Sequence, residues 1–234
     1  MSEIIEIRPR SSSALRISVR TAAIMLAFML VFTALMAGVY QVTAPRVAAS
    51  AQREKLALIG EVLPPTWYDN ALLEDWIEVL PAKELGLSDA TRLYRARKQG
   101  APAALVIEAA APDGYSGRIG LLLAVQASGE LLAVRVSEHR ETPGLGDYIE
   151  PKKDKNKAQP WITQFSNLGF DNVPRDKWRV KKDGGRFDQR AGATISARAV
   201  TNASGRALAW TIKYRDQLFS LPVHGRFGEQ GNKP

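Results

Sequence analysis

The chain reads Asp188-Gln189-Arg190-Ala191-Gly192-Ala193-Thr194-Ile195-Ser196 where its last long helix is expected to begin. Gly192 can adopt backbone angles that other residues avoid, and the hydroxyl of Thr194 or Ser196 can cap free N–H groups. Apolar residues then recur at steps of three and four, which predicts an amphipathic helix: Val200, Ala203, Ala207, Trp210, Tyr214 and Leu218. Such a helix start attracts phosphate, because its N–H groups are unpaired and its dipole is positive. On chemistry alone, a threonine there is more often a simple cap.

The middle of the chain is rich in strand signals. Apolar runs between turn residues predict five strands: residues 78–80, 93–96, 103–109, 119–127 and 131–136. Ser128 and Gly129 join the last two strands as a hairpin, which we expect at the centre of a sheet. Residues 111–117 are a loop by composition. Residues 161–165 suggest a short helix, residues 177–181 alternate like a strand, and residues 182–185 suggest a turn.

A second loop, residues 141–146, follows the hairpin and reads Glu-Thr-Pro-Gly-Leu-Gly. Proline and two glycines give a fixed loop with little side-chain bulk, so backbone N–H groups can approach a flat ligand closely. A plain connecting loop explains the same residues equally well. His139 precedes it and is interpreted as a surface or loop histidine rather than a catalytic one. With His224 as the only other histidine, a histidine-rich metal site is not predicted.

Residues 21–43 carry no charge and are mostly apolar. As a helix they span roughly 34 Å, enough to cross a bilayer. Arginines precede the run, which predicts a cytoplasmic N-terminus and export of the rest: Arg8, Arg10, Arg16 and Arg20. A cleaved signal peptide is the rival interpretation, although its apolar region is normally only about 7–15 residues long. Residues 44–65 are expected to form a helical stalk after a break at Pro45, and residues 220–234 a tail.

Charge and composition narrow the function further. The formal net charge of the 234 residues is +8, and there are no cysteines, so disulfides and cysteine-ligated iron–sulfur clusters are excluded. A basic chain can bind nucleic acid, but export through an anchor argues against that partner. Anionic lipid headgroups or an acidic protein surface fit an exported basic face better. The lysine tract at residues 152–157 can also be a solvated face with no partner.

Three motifs in one order resemble a known family of flavoproteins. They are Ala-Pro-Asp-Gly-Tyr-Ser-Gly at residues 111–117, Glu-Thr-Pro-Gly-Leu-Gly at residues 141–146 and Asp-x-x-x-Gly-Ala-Thr at residues 188–194. The chain resembles the FMN-binding family shared by the G-type subunit of the Rnf (Rsx) ion-translocating oxidoreductase and the C-type subunit of the sodium-pumping NADH:quinone reductase. The likeness is closer to the first and covers about residues 50–222. Where the family usually has serine or threonine, this chain has Ala191.

The resemblance implies a set of cofactor-binding residues. The last threonine of the family motif carries FMN through a phosphoester bond, and here that position is Thr194. The rest of the motif and the next turn supply Asp188, Gly192, Ala193 and Ser196. The second motif borders the isoalloxazine ring, which implies roles for Glu141, Thr142, Gly144 and Leu145. Lys182, in a Val-Lys-Lys-Asp-Gly-Gly run that also resembles the family, can face the flavin or its phosphate; a solvated lysine in a turn is the alternative.

The resemblance also implies an α+β fold. It consists of one N-terminal transmembrane helix and a single FMN-binding domain with a mostly antiparallel sheet and flanking helices. The expected boundaries are a cytoplasmic N-terminus at residues 1–20, the membrane helix at 21–43, the stalk at 44–65, the FMN-binding domain at 66–219 and the tail at 220–234.

The implied function is electron transfer within a membrane complex that couples ferredoxin/NAD-type oxidoreduction to ion translocation. The implied partners are the membrane, the other membrane, iron–sulfur and flavin subunits of the Rnf complex, and a flavin transferase for maturation. The implied location is the bacterial inner membrane, with the FMN domain in the periplasm. A non-redox anchored scaffold or binding protein of such a complex, suggested by the basic exported face, is the alternative.

Overall fold

The computed structural model describes residues 11–228, so Arg8, Arg10 and the last six residues of the expected tail lie outside the described part. The first element is the helix α1, Ser11–Val62, which contains Pro45. The expected break at Pro45 is therefore wrong. A proline removes one backbone hydrogen bond and crowds the preceding turn, and helical residues continue here on both sides of it. Within α1, Leu15–Val47 is long and apolar enough to cross a membrane.

The chain divides into two compact units between Glu54 and Lys55. In the first unit, the large apolar side chains from Leu15 to Val47 are exposed throughout; Phe28, for example, is 72% exposed. Exposed apolar surface of this extent requires another apolar medium to cover it.

The second unit is built on one six-stranded sheet. Its strands are β1 (Trp76–Val79), β2 (Thr91–Lys98), β3 (Ala101–Gly114), β4 (Gly117–Gln126), β5 (Leu131–Glu138) and β6 (Arg226–Phe227). The spatial order is β5-β4-β3-β2-β1-β6, and every neighbouring pair is antiparallel except β1 with β6. The predicted α+β class with a mostly antiparallel sheet is confirmed.

Two expectations about the sheet are wrong. The β4–β5 hairpin forms as predicted, but it lies toward one side, with β5 as the edge strand and β2 and β3 in the middle. The expected loop at residues 111–117 is largely strand: Ala111 pairs with Ile119 and Gly114 with Gly117, so β3 and β4 form a long hairpin. Pro112 and Gly114 suggested a loop, but they occur beside an irregularity in the ladder, where such residues are tolerated.

Helices cover both faces of the sheet. The last helix, α2 (Thr194–Ser220), buries the predicted apolar stripe, including Val200, Ala203 and Ala207, against one face. On the other face the end of α1 buries Ile59 and Val62 with strand residues.

The C-terminal end of α2 is held by a buried cation. The guanidinium of Arg95 donates from Nη1 to the carbonyl oxygens of Leu218 (3.2 Å) and Leu221 (2.5 Å), and it pairs with Asp75. A cation among the final carbonyls stabilises a helix end. Arg95 therefore joins the end of α2 to the strand β2.

The segment between β5 and α2 contains short 3-10 helices rather than strands. The predicted helix at residues 161–165 is present as Trp161–Phe165. The predicted strand at residues 177–181 is wrong, because only Val180 forms an isolated bridge, with Phe187. The expectation of a tail after residue 219 is also wrong up to Gly228, since β6 adds to the sheet beside β1.

Candidate functional site

The N-terminus of α2 has no side-chain cap. Its N-cap residue is Ala193, and Thr194 is the first helical residue. The expectation that Thr194 or Ser196 caps the helix is therefore wrong. Gly192 has φ +83° with open space around its Cα, so the chain enters the helix through a left-handed residue. The N–H groups of the first turn thus lack a side-chain partner, and the partly exposed Thr194 lies beside them.

Glu141 connects this helix start to two loops. Its carboxylate is buried. One oxygen accepts a hydrogen bond from the backbone N–H of Ser116, in the β3–β4 turn, at 2.9 Å. The other accepts from the hydroxyl of Ser196 in the first turn of α2. Gly146 passes so close that a Cβ atom would lie 2.7 Å from Ser196 Oγ. All three regions that the sequence motifs single out therefore converge on one carboxylate.

The loop at residues 141–146 is fixed by its own backbone. The N–H groups of Leu145 and Gly146 both donate to the carbonyl of Thr142, at 3.1 Å each. Gly144 has φ +77° and donates its N–H to the carboxylate of Asp147 at 2.9 Å. A left-handed residue at this place favours glycine. Thr142 is partly exposed, and Gly144 and Leu145 face open space, so the loop presents a free surface.

His139 lies just before this loop. Its Nδ1 accepts the backbone N–H of Glu141 at 3.1 Å, and its Nε2 lies 3.4 Å from a carboxylate oxygen of Glu150. The side chain is mostly buried rather than on the surface. This arrangement gives His139 a role in holding the backbone of the loop.

A buried ion pair supports the stretch before α2. Asp154 is fully buried and accepts the backbone N–H groups of Trp161 (2.7 Å) and Asn156 (2.8 Å), and it pairs with the guanidinium of Arg190. Burial by itself would raise the pKa of Asp154, but these donors outweigh burial and lower the pKa below its ordinary value. The carboxylate is therefore held in its charged form at neutral pH.

Tyr148 belongs to the same hydrogen-bond network. Its hydroxyl donates to the carbonyl of Ala193 at 3.3 Å and accepts the N–H of Arg190 at 3.2 Å. The Arg190 guanidinium lies 4.6 Å from the centre of the Tyr148 ring. Burial raises the pKa of Tyr148, so its hydroxyl stays protonated and can donate. One side chain thus fixes the backbone before Thr194 at two points.

Asp188 and Lys182 lie apart from the Glu141 contacts. The backbone of Asp188 is held by Trp161 Nε1, which donates to its carbonyl at 2.6 Å, while its exposed carboxylate pairs with Lys181 at 2.6 Å. The side chain of Lys182 is exposed. Within residues 11–228, no hydrogen bond or ion pair joins either side chain to the loop at residues 141–146. Of the predicted site residues, the structure brings together Glu141, Ser196, Ala193 and Thr194 with their loop.

Sequence reasoning missed the residues that hold this arrangement: Ser116, Tyr148, Asp154 and Arg190. One signal was present, because Asp154 is a lone acid inside a run of lysines. An acidic residue in such a tract can be explained by a buried partner. The aromatic Tyr148 and the backbone of Ser116 carry no comparable signal.

The surface around Glu141 suits a flat aromatic cofactor with a phosphate. Three apolar side chains next to the contact residues are exposed: Tyr115 by 67%, Leu145 by 55% and Ile195 by 43%. Each is the chain neighbour of a residue at the Glu141 contact, so the backbone of each lies near that contact. Exposed apolar groups beside uncapped N–H groups provide a ring contact and an anion contact together. The residues present therefore fit FMN.

These features define a class, that of FMN-binding domains attached to an apolar helix. A family model of the FMN-binding domain matches residues 114–209, and a model of the RnfG N-terminal region matches residues 12–62. Several similar proteins are named as the G-type subunit of an ion-translocating oxidoreductase complex. The relative from Pseudomonas aeruginosa (strain UCBPP-PA14) is 42% identical over 205 residues, which cover 88% of this chain and 94% of the relative.

Two further relatives carry the same name. The one from Escherichia coli K12 is 43% identical over 193 residues, covering 82% of this chain and 90% of the relative. The one from Shewanella loihica is 38% identical over 206 residues, covering 88% and 95%. The chain belongs to the RnfG family, the G-type subunits of the ion-translocating oxidoreductase complex.

Proposed function

We propose that this protein is the electron-transferring RnfG component of such a complex and carries FMN bound covalently through a phosphoester to the hydroxyl of Thr194. The observation that carries the proposal is the position of Thr194. It is the first residue of an uncapped helix, beside a loop that Glu141 fixes to that helix. A phosphate on Thr194 lies next to unpaired N–H groups, which stabilise a negative charge by about 0.3–1 kcal/mol.

The residues of the chain position the cofactor. When bound, FMN accepts two electrons and releases them singly, which is chemistry that the protein side chains lack. Gly144 and Leu145 are expected to contact the ring, and Thr142 to border it. Ser196 and Glu141 hold the loop against α2. A covalent attachment prevents the flavin from dissociating, which matters in a compartment with little free FMN.

The family and the apolar helix support a proposed location and a proposed set of partners. We place the N-terminus in the cytoplasm and the FMN domain in the periplasm, because arginines precede the apolar run. The other subunits of the complex, with iron–sulfur and flavin groups, pass electrons of the ferredoxin/NAD type, and a flavin transferase forms the phosphoester. The chain has one segment long and apolar enough to span a membrane among its described residues, so ion movement requires the partners.

In-gel flavin fluorescence of the denatured protein, expressed with a flavin transferase, tests the attachment. The wild-type band is expected to fluoresce, and the Thr194→Ala band to be dark, because the acceptor oxygen is gone. Thr163→Ala is the matched control, since Thr163 is a partly buried threonine whose hydroxyl only donates to the carbonyl of Pro160. That variant should fluoresce like the wild type.

Two results would contradict the proposal. Fluorescence that persists in Thr194→Ala would move the attachment to another residue. A dark wild-type band, with no flavin mass on protein purified from its native source, would favour the non-redox scaffold.

A further inference from the structure

A second concave surface lies along α2, outside the contacts just described. This arginine groove has a volume of about 640 Å³ and is formed by α2 and the segment before it. Its arginines are Arg175, Arg179 and Arg206, and Trp178 and Gly205 form its floor. The groove is open to solvent rather than enclosed.

The three arginines lack acidic partners. Within residues 11–228, none of the guanidinium groups of Arg175, Arg179 and Arg206 forms an ion pair with a carboxylate. The one acidic residue in the lining, Asp183, is bound by both nitrogens of the Arg198 fork, at 2.6 and 2.8 Å. Asp183 is thus already paired with Arg198, and the charge of Arg179 also acts on it, so the groove keeps a net excess of positive charge.

The floor of the groove is rigid and aromatic. Trp178 donates from Nε1 to the carbonyl of Thr201 at 3.1 Å, and its ring lies so close to Gly205 that a Cβ atom there would be 2.4 Å from Cδ1. Phe170 packs edge-on against Trp178 at 5.3 Å between ring centres, and the Arg175 guanidinium lies 4.5 Å from the Phe170 ring centre. Arg175 is therefore held in place by a cation–π contact before any ligand binds.

We infer that this arginine groove binds an acidic segment of a partner protein, with side-chain carboxylates on the arginines. The arginine fork matches a carboxylate in two parallel hydrogen bonds. Arginine is also over-represented at the centres of protein interfaces. The groove takes its guanidinium groups from two segments of the chain, Arg175 and Arg179 before α2 and Arg206 within it, which favours an extended segment over one compact anion.

The groove lies on the same side of α2 as Thr194. Residues 194, 198, 202, 205 and 209 are separated by steps of three and four, so they share one face of the helix. At about 1.5 Å per residue, Gly205 is roughly 16 Å along the axis from Thr194. A partner in the groove therefore lies on the face that carries the proposed attachment residue, about three helical turns from it. The attachment at Thr194 rests on the proposed function, whereas the docking itself does not.

The test uses the assembled complex with a photo-crosslinking amino acid at Asn202, in the lining of the groove. We expect a crosslink to an acidic segment of another subunit, mapped by mass spectrometry. Lys213, exposed further along α2, is the control position and should give no such product. A crosslink from Asn202 to lipid, to a basic segment or to nothing would overturn the inference.

Charge reversal of the three groove arginines provides a second test of the docking. Arg175→Glu, Arg179→Glu and Arg206→Glu together should lower co-purification of the partner subunits at least tenfold. The matched control reverses three exposed lysines of another surface, Lys152, Lys153 and Lys155.

Folding and flavin attachment are measured separately from docking, by thermal unfolding and in-gel flavin fluorescence. If the reversed protein unfolds, the variant with all three arginines changed to glutamine replaces it. Wild-type co-purification by a folded variant, or loss in the lysine control alone, would contradict the inference.

Discussion

Among single residues, Glu141 shows what a residue of a conspicuous motif does within the fold itself. The resemblance implies that Glu141 borders the flavin. In the fold its carboxylate is buried, and its two oxygens accept hydrogen bonds from the backbone N–H of Ser116 and the hydroxyl of Ser196. A buried carboxylate is tolerated only when it is hydrogen-bonded. Its direct effect is therefore on the loop and the helix start, and through them on Thr194. Of the residues that follow it in the loop, Gly144 and Leu145 are exposed.

The buried carboxylate of Asp154 should contribute to the stability of the fold. Replacing it with asparagine keeps the size of the side chain but removes its charge. The new NH2 group would also face a donor, because Trp161 N–H, Asn156 N–H and the Arg190 guanidinium all donate to this carboxylate. We expect Asp154→Asn to lower the free energy of unfolding by about 1–3 kcal/mol at pH 7. Chemical denaturation of the protein measures this change.

The pH dependence of that difference follows from the lowered pKa of Asp154. A carboxyl group whose pKa is lower in the folded state stabilises the fold above its unfolded pKa of about 3.9. That contribution is lost as the pH falls through the folded pKa. The difference in the free energy of unfolding between wild type and Asp154→Asn should therefore become smaller below about pH 4. Asp216→Asn, at an exposed carboxylate, is the control; a gap that stays constant with pH would contradict the assignment.

The residue types in the sequence predicted the local turns of this site but not its long-range contacts. The position of the helix start and the Gly144 turn were predictable, because glycine, proline and threonine carry conformational signals in the chain itself, but the absence of a side-chain cap was not. The contacts of Asp154 with Arg190, and of Tyr148 with Ala193, join residues 36 and 45 positions apart. No local pattern encodes such a pairing. The site roles of Thr194 and its neighbours stay predictions until flavin is detected.

The elements themselves differ in how far the sequence determines them. Periodicity predicted α2 and the β4–β5 hairpin correctly, because each pattern lies within one or two adjacent segments. The order of strands was not predictable, since β1 pairs with a two-residue strand, β6, that follows α2. Residues 177–181 alternate like a strand but have no neighbouring strand to pair with, so the alternation reflects burial of Trp178 and Val180 only.

The contact between α2 and the segment before it leaves no room for a side chain at position 205. Gly205→Ala should improve helix propensity by about 1 kcal/mol, but the new methyl group would overlap the Trp178 ring, which is itself hydrogen-bonded to α2. Overpacking of this kind costs about 1–3 kcal/mol, so we expect a lower melting temperature. Gly60→Ala in α1 is the matched control, because nothing lies within 4 Å of its added methyl group. The control should be neutral or stabilising; the same sign in both variants would contradict the packing argument.

The molecule as a whole consists of an apolar helix, whose exposed side chains require an apolar environment, and a folded domain. The core of that domain includes residues at the end of the same helix. Ile59, Val62 and Leu63 are almost completely buried in the second unit, in one apolar cluster with strand residues such as Tyr94 and Val106. The sequence pattern predicts the domain boundary at residue 66, because Pro64 and Pro65 end the helical pattern there. Folding of the domain therefore depends on residues that the sequence pattern assigned to a stalk.

Two truncations test where the folding unit begins. Residues 55–234 keep the three buried side chains and the ion pair between Glu61 and Arg135, and we expect this fragment to be soluble and to unfold cooperatively. Residues 66–234 lose all three side chains, each of which contributes about 1.5–3 kcal/mol on burial. Because a domain is stable by only about 5–15 kcal/mol, the shorter fragment should be largely unfolded or aggregate at 37 °C. Circular dichroism on heating compares the two, and equal melting temperatures would show that the end of α1 contributes nothing to the core.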